Sequence, residues 1–344
     1  MTTRTDLAVL LEQVARGEPL TAQQAESALD RVMAGPAAEI QMAGLLMALR
    51  TRGVTPEELA GGVRALRKAM LPVSHPSPDR LVDTAGTGGG RVTTFNISTA
   101  AAFVVAGAGV PVAKHGNRSF TSRSGSADVL EALGVRIDLT PEQMASVLAD
   151  VGIVFMFAPL LHPAMKHVGP VRRGLGVRTV MNLLGPLTNP AGARRQVIGV
   201  ADAELLDLIA GALRELGHLR ALVVHGAPGM DEVSPLGPTQ VAELRGGLVE
   251  RYVVEPAELG LEPAVAAELA GGEPSENAEV IEAVLGGAEG SARTAVVLNA
   301  AAALLAAGAS ESWIGAVEAA RASIDGGGAA TALESLRAAT RAIE

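Results

Sequence analysis

A change of pattern near Pro72 divides the sequence into two parts. Before it, the pattern is helical throughout: Leu29 and Val32 lie at helical spacing, and Thr55 stands three residues before Glu58, as in a helix-capping box. After it, short runs of Val and Ile alternate with helical segments. This order predicts a small all-helical N-terminal domain joined to a larger α/β domain.

The runs of Val and Ile predict a mostly parallel central sheet, because strands separated by helices pair in parallel. The segment around 240–254 looks like an added antiparallel pair, and helices return from Glu276 onward. We place the helical domain at residues 1–72, completed by helices around 162–188, and the α/β domain at 73–344. The five predicted parallel strands are 81–83, 110–113, 153–157, 197–200 and 219–224.

The composition argues against several classes of protein. Lys and Arg number 28 against 37 Asp and Glu, a formal net charge of −9, and the chain has one Trp, one Tyr and five Phe. Nucleic acid is therefore not an expected partner, since single strands are usually held by aromatic side chains in a basic groove. The absence of cysteine excludes disulfides, thiolate metal sites and a cysteine nucleophile.

No membrane association is expected either. The first residues lack an apolar stretch of signal-peptide length. The longest apolar runs, near 100–113 and 295–307, are short and rich in Ala and Gly, so they are typical of buried helices. We therefore expect a soluble cytoplasmic protein.

A glycine-rich segment, DTAGTGGGRVTTFNIST at residues 83–99, connects a predicted strand to an alanine-rich helix. Glycines let the backbone approach an anion closely. The amides of the helix start and the hydroxyls of Thr94, Ser98 and Thr99 can bind phosphate oxygens. A tight turn without a ligand is an equally good interpretation of this segment when it is taken alone.

A second polar loop lies within residues 110–134, between a strand expected to end at Lys114 and a helix expected to begin near Ser126. Lys114, Arg118 and Arg123 concentrate positive charge there, as a pyrophosphate or ribose phosphate site requires. The alternative is an ordinary solvated surface loop. Two anion-binding patterns after successive strands weaken that alternative.

A third strand runs into a glycine loop at residues 222–234, which ends in the adjacent acids Asp231 and Glu232. Adjacent acids in a loop are usually just solvated. Beside a polyphosphate, however, they can bind Mg²⁺, which takes one or two protein carboxylates and completes its shell with water and phosphate oxygens.

A basic segment at residues 162–191 places Arg172, Arg173 and Arg178 within two turns of a predicted helix. The pattern fits a helix with a solvated basic face. It also fits a guanidinium that binds an aromatic carboxylate through two hydrogen bonds. The sequence pattern leaves both interpretations open.

Together these segments resemble the anthranilate phosphoribosyltransferase family over nearly the whole chain. The most specific motifs are KHGNR followed by GSADVLEALG, and NLLGPLTNPA, and the resemblance continues through 271–287 and 292–308. It implies a homodimer that transfers the phosphoribosyl group of phosphoribosyl pyrophosphate to the amine of anthranilate. It also implies no catalytic acid or base, because an aromatic amine is unprotonated at neutral pH.

The resemblance implies roles for individual residues as well. Anthranilate would contact Gly86, Asn117 and Arg172. The His115 side chain is given no role in proton transfer. The phosphoribosyl pyrophosphate site would consist of Gly86, Gly89, Gly90, Thr94, Asn96, Ile97, Ser98, Thr99, Lys114, His115, Gly116, Asn117, Arg118, Ser122 and Ser126.

Magnesium is the implied cofactor, with two Mg²⁺ ions per subunit held by Ser98, Asp231 and Glu232. One position departs from the family pattern: where the family usually has GTGGD, this chain has Gly90 followed by Arg91. An arginine beside a phosphate site can pair with it. The departure bears on the details of pyrophosphate and metal binding.

Two alternatives remain at this point. A pyrimidine nucleoside phosphorylase shares the expected fold and cleaves a ribosyl bond with phosphate, but the long KHGNR match and the acidic pair favour the transferase. Relatives that bind nucleic acid without the transferase reaction are the second alternative. The net charge of −9 and the few aromatic residues oppose it.

Overall fold

A computed structural model describes residues 6–35, 39–119 and 123–343. Its first part is helical, as predicted, and the capping boxes that begin the second and fourth helices, at Thr21 and Thr55, are both formed. The buried Glu58 side chain completes the second of these boxes, accepts a hydrogen bond from Leu20 N and pairs with Arg52. The four helices are α1 (Leu7–Ala15), α2 (Ala22–Met33), α3 (Glu39–Arg52) and α4 (Pro56–Ala69).

The second part contains a seven-stranded sheet in the order β3-β2-β1-β4-β5-β6-β7. The first five strands in the chain pair in parallel, and the last two are added antiparallel, so the predicted sheet is confirmed. The strands are β1 (Val82–Gly86), β2 (Val112–Gly116), β3 (Ile153–Phe157), β4 (Arg195–Gly199), β5 (Arg220–Gly226), β6 (Thr239–Arg245) and β7 (Leu248–Val254).

Helices cover both faces of this sheet. One expectation was wrong: Arg178 does not belong to the helix of Arg172 and Arg173, because that helix ends at Leu175 and Gly176 turns the chain in a left-handed conformation. The helices are α5 (Ile97–Gly107), α6 (Ser126–Ala132), α7 (Pro141–Val151), α8 (Ala158–Leu161), α9 (Met165–Leu175), α10 (Met181–Leu184), α11 (Leu205–Glu215), α12 (Pro274–Leu285), α13 (Ser291–Ala307), α14 (Trp313–Asp325) and α15 (Gly328–Arg341).

Two hydrophobic cores lie on opposite faces of the sheet. Neighbouring strand residues alternate between them, so that Val197 packs in one core and Ile198 in the other. The first core contains α5 and α13. The second joins the N-terminal helices to α9, α10 and α11. The helical part and the sheet therefore share one continuous apolar layer.

The antiparallel edge of the sheet carries a chain of polar contacts. Trp313 Nε1 donates to Tyr252 Oη at 3.2 Å, and Tyr252 Oη donates to Glu243 Oε2 at 2.7 Å. The other oxygen of Glu243 pairs with Arg220 Nε at 2.8 Å. These contacts connect α14 to β7, β6 and β5.

The strand order reverses at β1. From β1 the chain moves to β2 and β3 on one side, and then returns to place β4 and β5 on the other side. In open parallel sheets, ligands bind at the carboxyl ends of the strands where the order reverses. Here that place is the junction of β1 and β4, where Gly86 pairs with Gly199. In the described ranges, none of the helices has the length and apolarity needed to cross a membrane.

Candidate active site

The glycine-rich loop follows β1 at this junction and wraps around the carboxylate of Asp231. Gly88 and Gly89 have φ values of 69° and 85°, a region that favours glycine. The Gly88 amide donates to Asp231 Oδ2 at 2.9 Å. A Cβ atom on Gly90 would lie 2.8 Å from Asp231 Oδ1. A side chain at position 90 would therefore collide with Asp231, and the glycine found there leaves room for the Asp231 carboxylate.

The first turn of α5 begins beside this loop, with Ile97, Ser98 and Thr99 at the positive end of the helix dipole. Asn96 precedes the helix and connects three segments rather than capping it. Its amide nitrogen donates to Ser124 O at 3.2 Å, and its side-chain oxygen accepts from Asn277 Nδ2 at 3.0 Å.

The two adjacent acids lie together at the base of the glycine loop. Ser98, Asp231 and Glu232 line one small cavity, and Thr94 Oγ1 donates to Glu232 Oε2 at 3.1 Å. Burial, followed by the charge of Asp231, raises the pKa of Glu232 to about 8. Among the described residues, neither of the two carboxyl groups forms an ion pair with a cation.

Lys114 lies beneath the loops, not within them, because β2 continues to Gly116. Its Nζ donates to Thr84 O at 2.7 Å, to Thr84 Oγ1 at 3.2 Å and to Ser98 Oγ at 3.3 Å. Burial lowers the pKa of Lys114 to about 8, against the opposing effect of nearby acids. The ammonium group therefore supports the acidic cavity and Ser98 from below.

Asp83 is a buried acid that the sequence reasoning did not single out. It is fully buried in β1, and its carboxylate accepts from His115 N at 3.1 Å, Asn189 Nδ2 at 2.9 Å and Gln196 Nε2 at 3.2 Å. Burial raises its pKa, and Lys114 opposes that effect. The sequence clue to this network was the position of Asp83, an acid in an apolar strand directly before the glycine loop.

His115 contacts His162, with 3.1 Å between the two Nε2 atoms. Burial, followed by the effect of His162, lowers the pKa of His115 to about 3. Burial alone lowers the pKa of His162 to about 4. Both rings are therefore neutral near pH 7.

The loop after β2 is held by its own hydrogen bonds. Ser126 Oγ donates to Asn117 O at 3.2 Å, and a side chain on Gly116 would collide with Ser126. Arg118 Nη1 contacts Asp128 Oδ1 at 2.7 Å and Glu131 Oε2 at 2.5 Å. Ser122, another predicted site residue, lies outside the described residues.

The segment that contains α9 is connected to the site at both of its ends. His162 contacts His115, and Arg178 Nη1 donates to Gly88 O at 3.3 Å. Between them, Arg172 is partly buried, and burial lowers its pKa. Within residues 6–35, 39–119 and 123–343, Arg172 makes no side-chain hydrogen bond or ion pair with another residue.

Comparison with protein families agrees with this architecture. Residues 8–70 match the helical bundle domain of a glycosyl transferase family, and residues 78–330 match its a/b domain. The curated anthranilate phosphoribosyltransferase of Symbiobacterium thermophilum is 52% identical over 328 residues, which cover 95% of this chain and 96% of that protein. That of Thermomicrobium roseum is 51% identical over 337 residues, which cover 97% of each.

Solved structures show the same similarity. The anthranilate phosphoribosyltransferase of Thermus thermophilus superposes with a TM-score of 0.91 at 46% identity, covering 96% of this chain and 99% of that one. The Saccharomyces cerevisiae enzyme in complex with PRPP and Mg has a TM-score of 0.88 at 28% identity, with 98% of both chains covered. This chain therefore belongs to the anthranilate phosphoribosyltransferase family of glycosyl transferases.

Proposed function

We propose that this protein transfers the phosphoribosyl group of phosphoribosyl pyrophosphate to the amine of anthranilate, giving N-(5-phosphoribosyl)anthranilate and pyrophosphate in tryptophan biosynthesis. One observation carries the proposal: the glycine loop, the start of α5 and the acidic pair converge where the strand order reverses. They do so in a chain about half identical to curated anthranilate phosphoribosyltransferases along nearly its whole length.

Phosphoribosyl pyrophosphate would bind between the glycine loop and the loop after β2. The glycine loop lets backbone amides come close to the ligand, and the α5 dipole favours a phosphate. Lys114 would act from beneath the loops and the exposed Arg118 by ordering its own loop, since the hydrogen bonds of both already go to protein groups. The proposed contacts are Gly86, Gly89, Gly90, Thr94, Asn96, Ile97, Ser98, Thr99, His115, Gly116, Asn117, Ser122 and Ser126.

Magnesium fits the donors of the small cavity. Two carboxylates and a hydroxyl, from Asp231, Glu232 and Ser98, are the hard oxygen ligands that Mg²⁺ takes, with water and phosphate oxygens for the remaining positions. Among the described residues, no group of three or more His, Cys, Asp or Glu side chains is arranged to hold a metal ion. We propose that these residues hold two ions per subunit, which would neutralise charge on the pyrophosphate as it leaves.

Anthranilate would lie between Gly86, Asn117 and Arg172. Its carboxylate would pair with the Arg172 guanidinium, which has no acidic partner within the described part of the chain. The aromatic amine needs no base, and His115 and His162 remain neutral at pH 7. Catalysis would then consist of holding the two substrates in line and stabilising the leaving group.

The domain limits and the homodimer also remain proposals. We propose a helical domain of residues 1–72 completed around 162–188, since α9 packs on α2 and α3, and an α/β domain of 73–344. A homodimer through the helical domain is supported by the exposed apolar side chains of Val9 and Ile40 on the contacting helices α1 and α3. The cytoplasmic location stays a prediction.

The decisive experiment follows the loss of anthranilate fluorescence with the purified protein. We expect turnover only when phosphoribosyl pyrophosphate and Mg²⁺ are both present. A folded protein without turnover would contradict the proposal. Release of uracil from uridine and phosphate would indicate the phosphorylase instead, and a gel shift at physiological salt would indicate a nucleic-acid-binding relative.

A further inference from the structure

Asn299 makes a two-point contact with the backbone of a single residue. It lies in the middle of α13 and is 6% exposed. Its Oδ1 accepts from Val233 N at 2.9 Å, and its Nδ2 donates to Val233 O at 2.9 Å and to Ala295 O at 2.9 Å. The three hydrogen bonds of this side-chain amide thus go to Val233 and to its own helix.

Val233 directly follows the acidic pair. Asn299 also lines the small cavity together with Ser98, Asp231 and Glu232. The anchored residue Val233 is therefore the chain neighbour of Glu232, and the anchoring side chain lines the same cavity as the acidic pair.

The acidic pair needs such an anchor for an electrostatic reason. Both acids must be ionised to bind a metal ion, and two neighbouring carboxylates repel each other more strongly in a buried site than in water. Asp231 is restrained by the Gly88 amide and Glu232 by Thr94, but each of these contacts holds a side chain and not the backbone. The Asn299 contact fixes the backbone itself.

We infer that Asn299 is a positioning residue that sets the affinity of the acidic pair for divalent metal ions. This inference rests on the proposed Mg²⁺ site. Partners one shell outside a metal site usually change metal affinity or activity by about 10- to 100-fold when they are removed. Asn299 occupies that place although it contacts neither substrate nor metal in the proposal.

The test measures binding of Mn²⁺ to the full-length protein by electron paramagnetic resonance, without substrates. For Asn299→Ala we expect the dissociation constant to rise about tenfold or more. In assays, half-saturating Mg²⁺ should rise similarly while activity recovers at high Mg²⁺. A matched control is Ser323→Ala, because Ser323 is equally buried and donates to Val104 O at 2.7 Å on α5, outside the cavity.

The outcomes separate the two proposals. Equal Mn²⁺ affinity of Asn299→Ala and the parent would overturn the role of Asn299 while leaving the metal site intact. The same conclusion would follow if Ser323→Ala lost as much Mn²⁺ affinity as Asn299→Ala. If the parent and the double variant Asp231→Ala, Glu232→Ala bind Mn²⁺ alike, the metal site itself is wrong and the inference fails with it. If Asn299→Ala does not fold, Asn299→Ser replaces it under the same criteria, because the shorter side chain also loses the two-point contact with Val233, while its hydroxyl can still donate to Ala295 O.

Discussion

Two segments that contain arginines border the site, and they differ in whether the arginine is paired with an acidic residue. In the segment of α6 and the loop before it, Arg118 pairs with Asp128 and Glu131. In the segment of α9, Arg172 is partly buried and has no acidic partner within the described ranges. A guanidinium paired with the protein's own acids orders its loop, whereas one withdrawn from water without a counter-ion gains most from an incoming anion.

The acidic pair resembles Arg172 in this respect, because neither carboxyl group forms an ion pair among the described residues. Replacing Asp231 and Glu232 together by Ala should lower kcat/KM about a hundredfold or more, since the metal would no longer stabilise the leaving group. The free energy of unfolding should stay the same or rise, because the cost of burying Glu232, which raises its pKa, disappears. Steady-state kinetics and urea unfolding would check both points. Near-normal activity, or unfolding of the variant, would show that the pair is structural.

Arg172→Ala should have the next largest effect. A charge-assisted hydrogen bond contributes about 1.5 to 3 kcal/mol, so KM for anthranilate should rise roughly 10- to 100-fold, with little change for phosphoribosyl pyrophosphate. The matched control is Arg173→Ala, the exposed neighbour on the same helix, which should behave like the parent. Equal increases in both KM values would refute the assignment and remove the contrast with Arg118.

Arg118→Ala should have the smallest effect. Exposed ion pairs contribute about 0 to 1 kcal/mol, so KM for phosphoribosyl pyrophosphate should rise no more than about fivefold through looser loop order. Glu131→Gln gives a sharper comparison. If Arg118 acts through its acidic partners, Glu131→Gln raises the same KM slightly and reduces the further effect of Arg118→Ala. A lower KM in Glu131→Gln would instead show that the released guanidinium binds the pyrophosphate.

The fold could be predicted well because the hydrophobic pattern changes near Pro72, from helices alone to short runs of Val and Ile separated by helices. Local signals such as Thr55 with Glu58 also show where helices begin. The glycine loop was likewise visible as a local pattern. The hydrogen-bond partners of the buried acid Asp83, in contrast, could not be predicted from a local pattern. Asp83 meets Asn189 across 106 positions of the chain, and only the folded sheet brings them together.

The arginines show the same limit. The motifs placed several arginines near the site, but they did not show which of these arginines form ion pairs with acidic residues of the protein itself. Arg118 is paired through a helix that begins only eight residues later, and Arg178 reaches Gly88 because α9 ends at Leu175 and the chain turns at Gly176. Such outcomes depend on helix ends and side-chain directions, which the residue pattern specifies poorly.

The contact between Trp313 and Tyr252 has a consequence for spectroscopy. These are the single tryptophan and the single tyrosine of the chain, and they are hydrogen-bonded at the antiparallel edge of the sheet. The intrinsic emission of the protein therefore comes from one corner, while the glycine loop and the acidic pair lie where the strand order reverses. Because neither Trp313 nor Tyr252 lies among the proposed substrate contacts, a change in tryptophan emission on addition of phosphoribosyl pyrophosphate, which does not absorb in the near ultraviolet, would report a rearrangement that reaches this corner of the sheet.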